Sequence, residues 1–103
     1  MYGIEEFDKQ KTKVLKYIIY KKRTEKEIRN KFSNSIQEDL LEDIIEDLKE
    51  NKYIDDSSYI KRAVDEYINL NTLSIKEIKY KLYSKGLDND TIEDYIYKWK
   101  NMN

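Results

Sequence analysis

Thr24-Glu25-Lys26-Glu27-Ile28-Arg29-Asn30-Lys31-Phe32 and Ser74-Ile75-Lys76-Glu77-Ile78-Lys79-Tyr80-Lys81-Leu82 are two versions of one pattern, 50 residues apart. Each opens with a hydroxyl residue followed three positions later by Glu. In that arrangement the hydroxyl accepts from the third helical N–H, and the carboxylate accepts from the N–H of the cap residue. Each version then sets two large apolar residues four apart, Ile28 with Phe32 and Ile78 with Leu82, with basic residues between them at matching positions. Downstream, Asp39-x-Leu41-Glu42-Asp43-x-Ile45-x-x-Leu48-Lys49 matches Asp90-x-Ile92-Glu93-Asp94-x-Ile96-x-x-Trp99-Lys100 at an offset of 51, the extra residue falling in the turn that contains Gly86. Amphipathic helices share coarse periodicity by chance. Caps, basic positions and paired acids do not coincide so easily, and the chain reads as an internal repeat.

The rest of the chain completes two three-helix units. Residues 9–22 carry Val14, Leu15, Ile18 and Ile19, apolar pairs four apart that predict a first helix. Ser35-Ile36-Gln37-Glu38 predicts a third capping box, opening a helix with Leu40, Leu41, Ile44, Ile45 and Leu48 inward. The run Asn51-Lys52-Tyr53-Ile54 breaks the pattern. Asp55 offers a fresh cap, with Ile54 and Tyr59 spaced for a hydrophobic staple. A fourth helix shows Tyr59-Ile60, Ala63-Val64 and Tyr67-Ile68, and residues 69–73 form a linker. After the fifth helix, Ser84-Lys85-Gly86-Leu87 is a stop with Gly86 in the left-handed conformation, and a sixth helix starts at about Asp90. The expected fold is all-α: two tandem three-helix repeats forming an elongated, curved body. An extension at 1–8 precedes repeats at 9–52 and 53–103, which make one continuous structural unit.

Composition agrees with helices and narrows the chemistry. Apolar residues are 39% and charged residues 40%, a balance that suits helices burying one stripe each. With no proline and two glycines, a sheet rich in tight hairpins is disfavoured. The absence of cysteine and histidine removes disulfides, thiolate metal sites and the commonest catalytic base. Adjacent acids such as Glu42-Asp43 and Asp55-Asp56 point in different directions on a helix, and Asp55-Asp56 reads as a cap before it reads as a metal site. No enzymatic constellation, cofactor site or metal site is expected. The apolar runs are too short for a membrane span and residues 1–8 lack an apolar signal core, so a cytoplasmic location is expected.

The net charge of −1 conceals a segregation. Residues 9–31 hold ten Lys and Arg against Glu25 and Glu27, whereas residues 36–56 hold nine acids against Lys49 and Lys52. Lys21, Lys22 and Arg23 lie at the first turn, and Lys26, Arg29 and Lys31 follow on the second helix. Lys76, Lys79 and Lys81 are their counterparts in the second repeat, with Lys61 and Arg62 on the fourth helix. Equivalent cations in stacked repeats suit a strip along a phosphate backbone. The same lysines also suit solvated faces paired with Glu25, Glu27 and Glu77. The acidic third helix, with Glu42, Asp43, Glu46, Asp47 and Glu50, would make unaided binding to single-stranded or duplex DNA weak and salt-sensitive. Of ten tyrosines, Tyr59, Tyr67 and Tyr95 fall on core stripes, while Tyr20, Tyr80, Tyr83 and Tyr97 fall off them and are free to stack on a partner.

Three motifs resemble the RecX family. Arg23-Thr24-Glu25-Lys26-Glu27-Ile28 is similar to the family's Arg-Ser/Thr-x-x-Glu-Leu helix opening. Leu48 through Tyr59, with Tyr53-Ile54-Asp55-Asp56 at its centre, is similar to the family's junction between repeats. Ile78-x-x-x-Leu82-x-x-Lys85-Gly86-Leu87 is similar to the ending of its fifth helix. The family's usual Gly before Tyr-Ile-Asp-Asp is Lys52 here, so Asn51 or Lys52 must supply any left-handed turn. Family members usually carry a third repeat, and two are present in these residues. The resemblance implies a regulatory protein that binds in the groove of a RecA filament on DNA and restrains its ATP hydrolysis and strand exchange in repair and recombination. Two other readings remain: a helix-turn-helix module reading duplex DNA through the second or fifth helix, and a protein-interaction adaptor without nucleic acid.

Overall fold

A computed structural model describes residues 2–102 and contains six α-helices, with no strand among the described residues. The helices are α1 (Ile4–Tyr20), α2 (Glu25–Phe32), α3 (Glu38–Glu50), α4 (Asp56–Leu70), α5 (Ile75–Ser84) and α6 (Asn89–Met102). They divide into two compact units, Met1–Asp55 and Asp56–Asn103, each with three helices and its own core.

The first unit is organised on α3. Its stripe at Leu40, Leu41, Ile44, Ile45 and Leu48 is buried, as spacing of three and four requires of a helix with neighbours on one side. Val14 and Ile18 from α1 and Ile28 and Phe32 from α2 close over it, and α1 and α2 each pack on α3. Tyr17 of α1 meets Phe32 of α2 edge to face, with ring centroids 5.6 Å apart. In the second unit, Ile60, Ala63 and Val64 of α4, Ile78 and Leu82 of α5, and Ile92 and Ile96 of α6 form the core, and every pair of helices is in contact. Val14 and Val64, Ile28 and Ile78, and Ile45 and Ile96 stand at the 50- and 51-residue offsets and are all buried.

The capping boxes at Thr24 and Ser74 both form. Each hydroxyl accepts from the N–H of Glu27 or Glu77, while each glutamate accepts from the cap residue's own N–H. The third box does not. The Ser35 hydroxyl turns back onto the Phe32 carbonyl and helps to close α2, so α3 starts from Gln37 with no side-chain cap. The cap of α6 is instead Asp88, whose carboxylate accepts from both the N–H and the hydroxyl of Thr91. At the other end of the first unit α1 starts at Ile4, ahead of the stripe at Val14. Phe7 and Tyr2 pack on the core, and the Tyr2 hydroxyl donates to Asp43. Ile19, expected on the buried stripe, is 73% exposed: the stripe is one residue wide at that turn and Ile18 fills it. Trp99 is half-buried where its counterpart Leu48 is fully buried.

Candidate functional site

Arg29 and Glu42 stand thirteen positions apart in sequence, yet α2 lies along α3 so that the guanidinium makes a two-pronged contact with that carboxylate, at 2.7 and 2.9 Å. Its Nε also donates to Glu25 at 3.0 Å, and Lys49 of α3 reaches the other Glu25 oxygen at 3.0 Å. The Glu42 hydrogen bonds raise the pKa of Arg29 despite partial burial. Arg29 in turn holds Glu42 below the usual carboxylate range. Burial works against the ionised form of Glu25, but Lys49 and Arg29 outweigh it and lower its pKa as well. In the second unit Lys79 pairs with Glu93 at 2.9 Å, and these are the positions equivalent to Arg29 and Glu42. Each unit thus ties its short middle helix to its last helix with the same cross-helix ion pair. Arg29 and Lys79 are engaged by these internal carboxylates.

The other cations of the first unit are placed differently. Lys21, Lys22 and Lys26 are exposed and have no acidic partner among the described residues. Arg23 is half-buried, and its guanidinium carbon lies 4.1 Å from the centre of the Tyr17 ring. Lys31 Nζ also sits over that ring, at 5.7 Å. Stacking on an aromatic face holds a guanidinium in a fixed plane at little entropic cost. The nearby acids are already engaged, Glu25 by Arg29 and Lys49, and Glu27 by the cap of α2. The end of α1 and the start of α2 therefore carry a concentration of positive charge that the unit does not neutralise.

In the second unit Lys61 and Arg62 share the outer face of α4 with Asp65 and Glu66, so opposite charges alternate there. Lys76 and Lys81 flank Tyr80 on one face of α5, and Tyr80 is 73% exposed. Tyr20, Tyr83 and Tyr97 are exposed as well, whereas Tyr59, Tyr67 and Tyr95 pack against the second core. Burial and the Asp65 carboxylate, which accepts from its hydroxyl, raise the pKa of Tyr95. Among the described residues no group of three or more acidic side chains could hold a metal ion, and no helix is long and apolar enough to cross a membrane.

Comparison with known proteins gives this geometry a family. The Regulatory protein RecX of Finegoldia magna is 35% identical over 83 residues, covering 80% of this chain and 40% of that protein. Those of Streptococcus mutans and Clostridioides difficile are 32% and 30% identical over 92 residues, covering 88% and 89% of this chain and 36% and 43% of theirs. The chain belongs to the RecX family. It spans about two fifths of the length of these relatives. No family model matches the chain, and no solved structure does.

The RecX motifs have clear local geometry in this chain. At the end of α3, Lys52 takes the left-handed conformation with φ 65°, the role of the family's usual Gly. Tyr53 N–H donates to the Leu48 carbonyl and Lys52 N–H to that of Lys49, which together form a Schellman motif. Ile54 then drops into the first core, and Asp55 stands immediately before α4. Gly86 takes φ 85° after α5, and Leu87 enters the second core. Tyr17, on whose ring Arg23 rests, is not legible in the sequence as its partner: it lies six residues away across a helix end, outside any periodic spacing.

Proposed function

We propose that this RecX-family chain regulates RecA filaments on DNA, restraining their ATP hydrolysis and strand exchange, and that the cations at the α1–α2 turn make the contact. The observation that carries this reading is the group Lys21, Lys22 and Lys26, exposed and without internal acids, on a chain of this family. A RecA–DNA filament is polyanionic through its phosphates, and an uncompensated basic surface gains from releasing the counterions condensed on them. Arg29 and Lys79 belong to the scaffold in this reading, because their charges hold α2 on α3 and α5 on α6. The same pairing disfavours a groove-reading helix, since α2 and α5 each have a central cation turned toward a neighbouring helix.

The test is the single-stranded-DNA-dependent ATP hydrolysis of a cognate RecA, measured with increasing amounts of the 103-residue chain. A Lys22→Glu/Lys26→Glu variant leaves the Arg29–Glu42 tie intact and is run alongside. Inhibition by the wild type that weakens in the variant is the expected result. No inhibition at any ratio would remove the RecA reading. Equal inhibition by the variant would move the contact away from the α1–α2 turn.

A further inference from the structure

We infer that Arg23, laid on the Tyr17 ring beside Lys31, forms a phosphate-binding point for the backbone of single-stranded DNA. The inference deepens the reading above and rests on it in setting this surface against a DNA-bound filament, but its test needs no RecA. An arginine at the start of a helix has an ordinary structural explanation, in which its aliphatic stem covers the end of the core. The second unit supplies the control for that explanation. Tyr67 stands there at the position of Tyr17, but Leu73 stands at the position of Arg23 and packs against the second core. A plain apolar residue therefore suffices to close a unit of this design, and the guanidinium in the first unit does something leucine does not.

Its setting says what. No carboxylate pairs with Arg23 among the described residues, and its buried Nε has no acceptor there. Its charge is not neutralised within the unit, and its guanidinium carbon rests 4.1 Å from the centre of the Tyr17 ring. A fixed, uncompensated guanidinium presents its remaining N–H groups as a fork, the geometry that matches two oxygens of a phosphate. The adjoining Lys21, Lys22, Lys26 and Lys31 suit a polymer with one charge per residue better than a single acid. The Tyr17 ring has Arg23 over it and cannot receive a base there, so this point reads backbone and not sequence. A bare ring is close in sequence: Tyr20, the last residue of α1, is 85% exposed beside Lys21. Basic groups with an accessible aromatic suit a single strand, whose bases are free to stack.

The experiment is fluorescence anisotropy of a labelled oligo(dT) strand titrated with the full chain across a range of salt, using wild type, Arg23→Lys, Tyr17→Leu and Tyr17→Phe. Arg23→Lys keeps the charge and removes the fork. Tyr17→Leu keeps apolar cover for Phe32 and removes the ring face, and Tyr17→Phe restores the ring without the hydroxyl. Loss of the two-pronged contact weakens binding about tenfold, while the slope of log K against log salt, which counts the charges engaged, stays close to that of wild type because no cation is removed. Arg23→Lys and Tyr17→Leu are expected to show this loss of affinity at an unchanged slope, with Tyr17→Phe matching wild type. Circular dichroism checks folding, and should Tyr17→Leu unfold, Arg23→Lys decides alone. Wild-type affinity in Arg23→Lys overturns the inference. So does tighter binding to polyglutamate than to oligo(dT), which would mark the surface as one for protein carboxylates. If oligo(dT) binding depends on Arg23 while RecA hydrolysis is unaffected, the RecA reading fails and the phosphate site stands.

Discussion

Replacing Lys52 with glycine is expected to stabilise the first unit, although it removes a side chain and adds no contact. Lys52 holds φ 65° at the end of α3, a conformation in which an L side chain crowds the following carbonyl. That crowding costs about 1–2 kcal/mol. Glycine relieves it, but a glycine has more freedom to lose on folding, an opposing cost of about 0.5–1 kcal/mol. The Schellman hydrogen bonds from Lys52 N–H to Lys49 and from Tyr53 N–H to Leu48 are made by backbone and survive the change. The net expectation is a gain of about 0.5–1 kcal/mol, which in a domain of this size raises the melting temperature by roughly 2–8 °C.

Thermal unfolding followed by circular dichroism measures the gain, and Lys52→Ala is the necessary companion. It removes the charge from a turn beside the acids of α3 but keeps the Cβ and hence the crowding. The difference between the glycine and alanine variants isolates the backbone contribution. Asn71 offers a second check, since it holds φ 53° at the end of α4. Asparagine tolerates that region better than lysine does, so Asn71→Gly should gain less. A Lys52→Gly protein that melts with Lys52→Ala or below it would refute the reasoning, because the left-handed turn would then carry no penalty to relieve.

Two further predictions follow from the caps and the ion pairs. Thr24→Ala should cost about 1–2 kcal/mol and Ser74→Ala about 1 or less, because Thr24 is wholly buried and loses methyl packing with its cap while Ser74 is exposed; chemical denaturation of the two variants compares them. The depressed pKa values of Glu25 and Glu42 mean that their contribution is fully present above the ordinary glutamate value of 4.5 and is lost as pH falls from there through their lower folded values. The acid limb of a stability–pH profile should therefore flatten in Glu25→Gln, and an unchanged limb would count against the Arg29–Glu25–Lys49 cluster.

What the sequence discloses divides by range. The stripe of α3 and the boxes at Thr24 and Ser74 are legible because the spacing that defines each repeats within four residues. The left-handed residue after α3 is narrowed to Asn51 or Lys52, and Lys52 takes it: Asn51 is still the C-cap, with φ −90°. The failures are also physical. Ser35-Ile36-Gln37-Glu38 satisfies the capping pattern, but α3 begins only at Glu38, so Ser35 stands two residues ahead of the N-cap and its hydroxyl turns back to the Phe32 carbonyl. Asp88 escapes notice because its partner is Thr91 and not the Glu or Gln that the pattern requires. For the site, the sequence supplies candidate cations and no means of sorting them. Arg29 and Lys79 pair with carboxylates 13 and 14 residues away, which no helical spacing foretells. Arg23 rests on a ring across a helix end.

That sorting bears on how function is distributed along the chain. Where the two units agree, the shared feature is explained by folding alone: the capped middle helix, its two buried apolar residues, and one cation pairing with one carboxylate on the last helix. At the turn before the capped helix they differ. Lys21, Lys22 and Arg23 stand opposite Asn71, Thr72 and Leu73, so the first turn holds three charges where the second holds none, although both turns lead into the same capping box. Like charges crowded into a turn repel, and the second unit shows that the turn forms without them. Charge that the fold leaves unpaired at this turn is what the proposed polyanionic partner would meet. Exchanging residues 21–23 for Asn-Thr-Leu should therefore leave the first unit folded, or slightly more stable, while removing most of its affinity for a nucleic-acid strand. A variant that loses its fold would instead make the cluster part of the architecture.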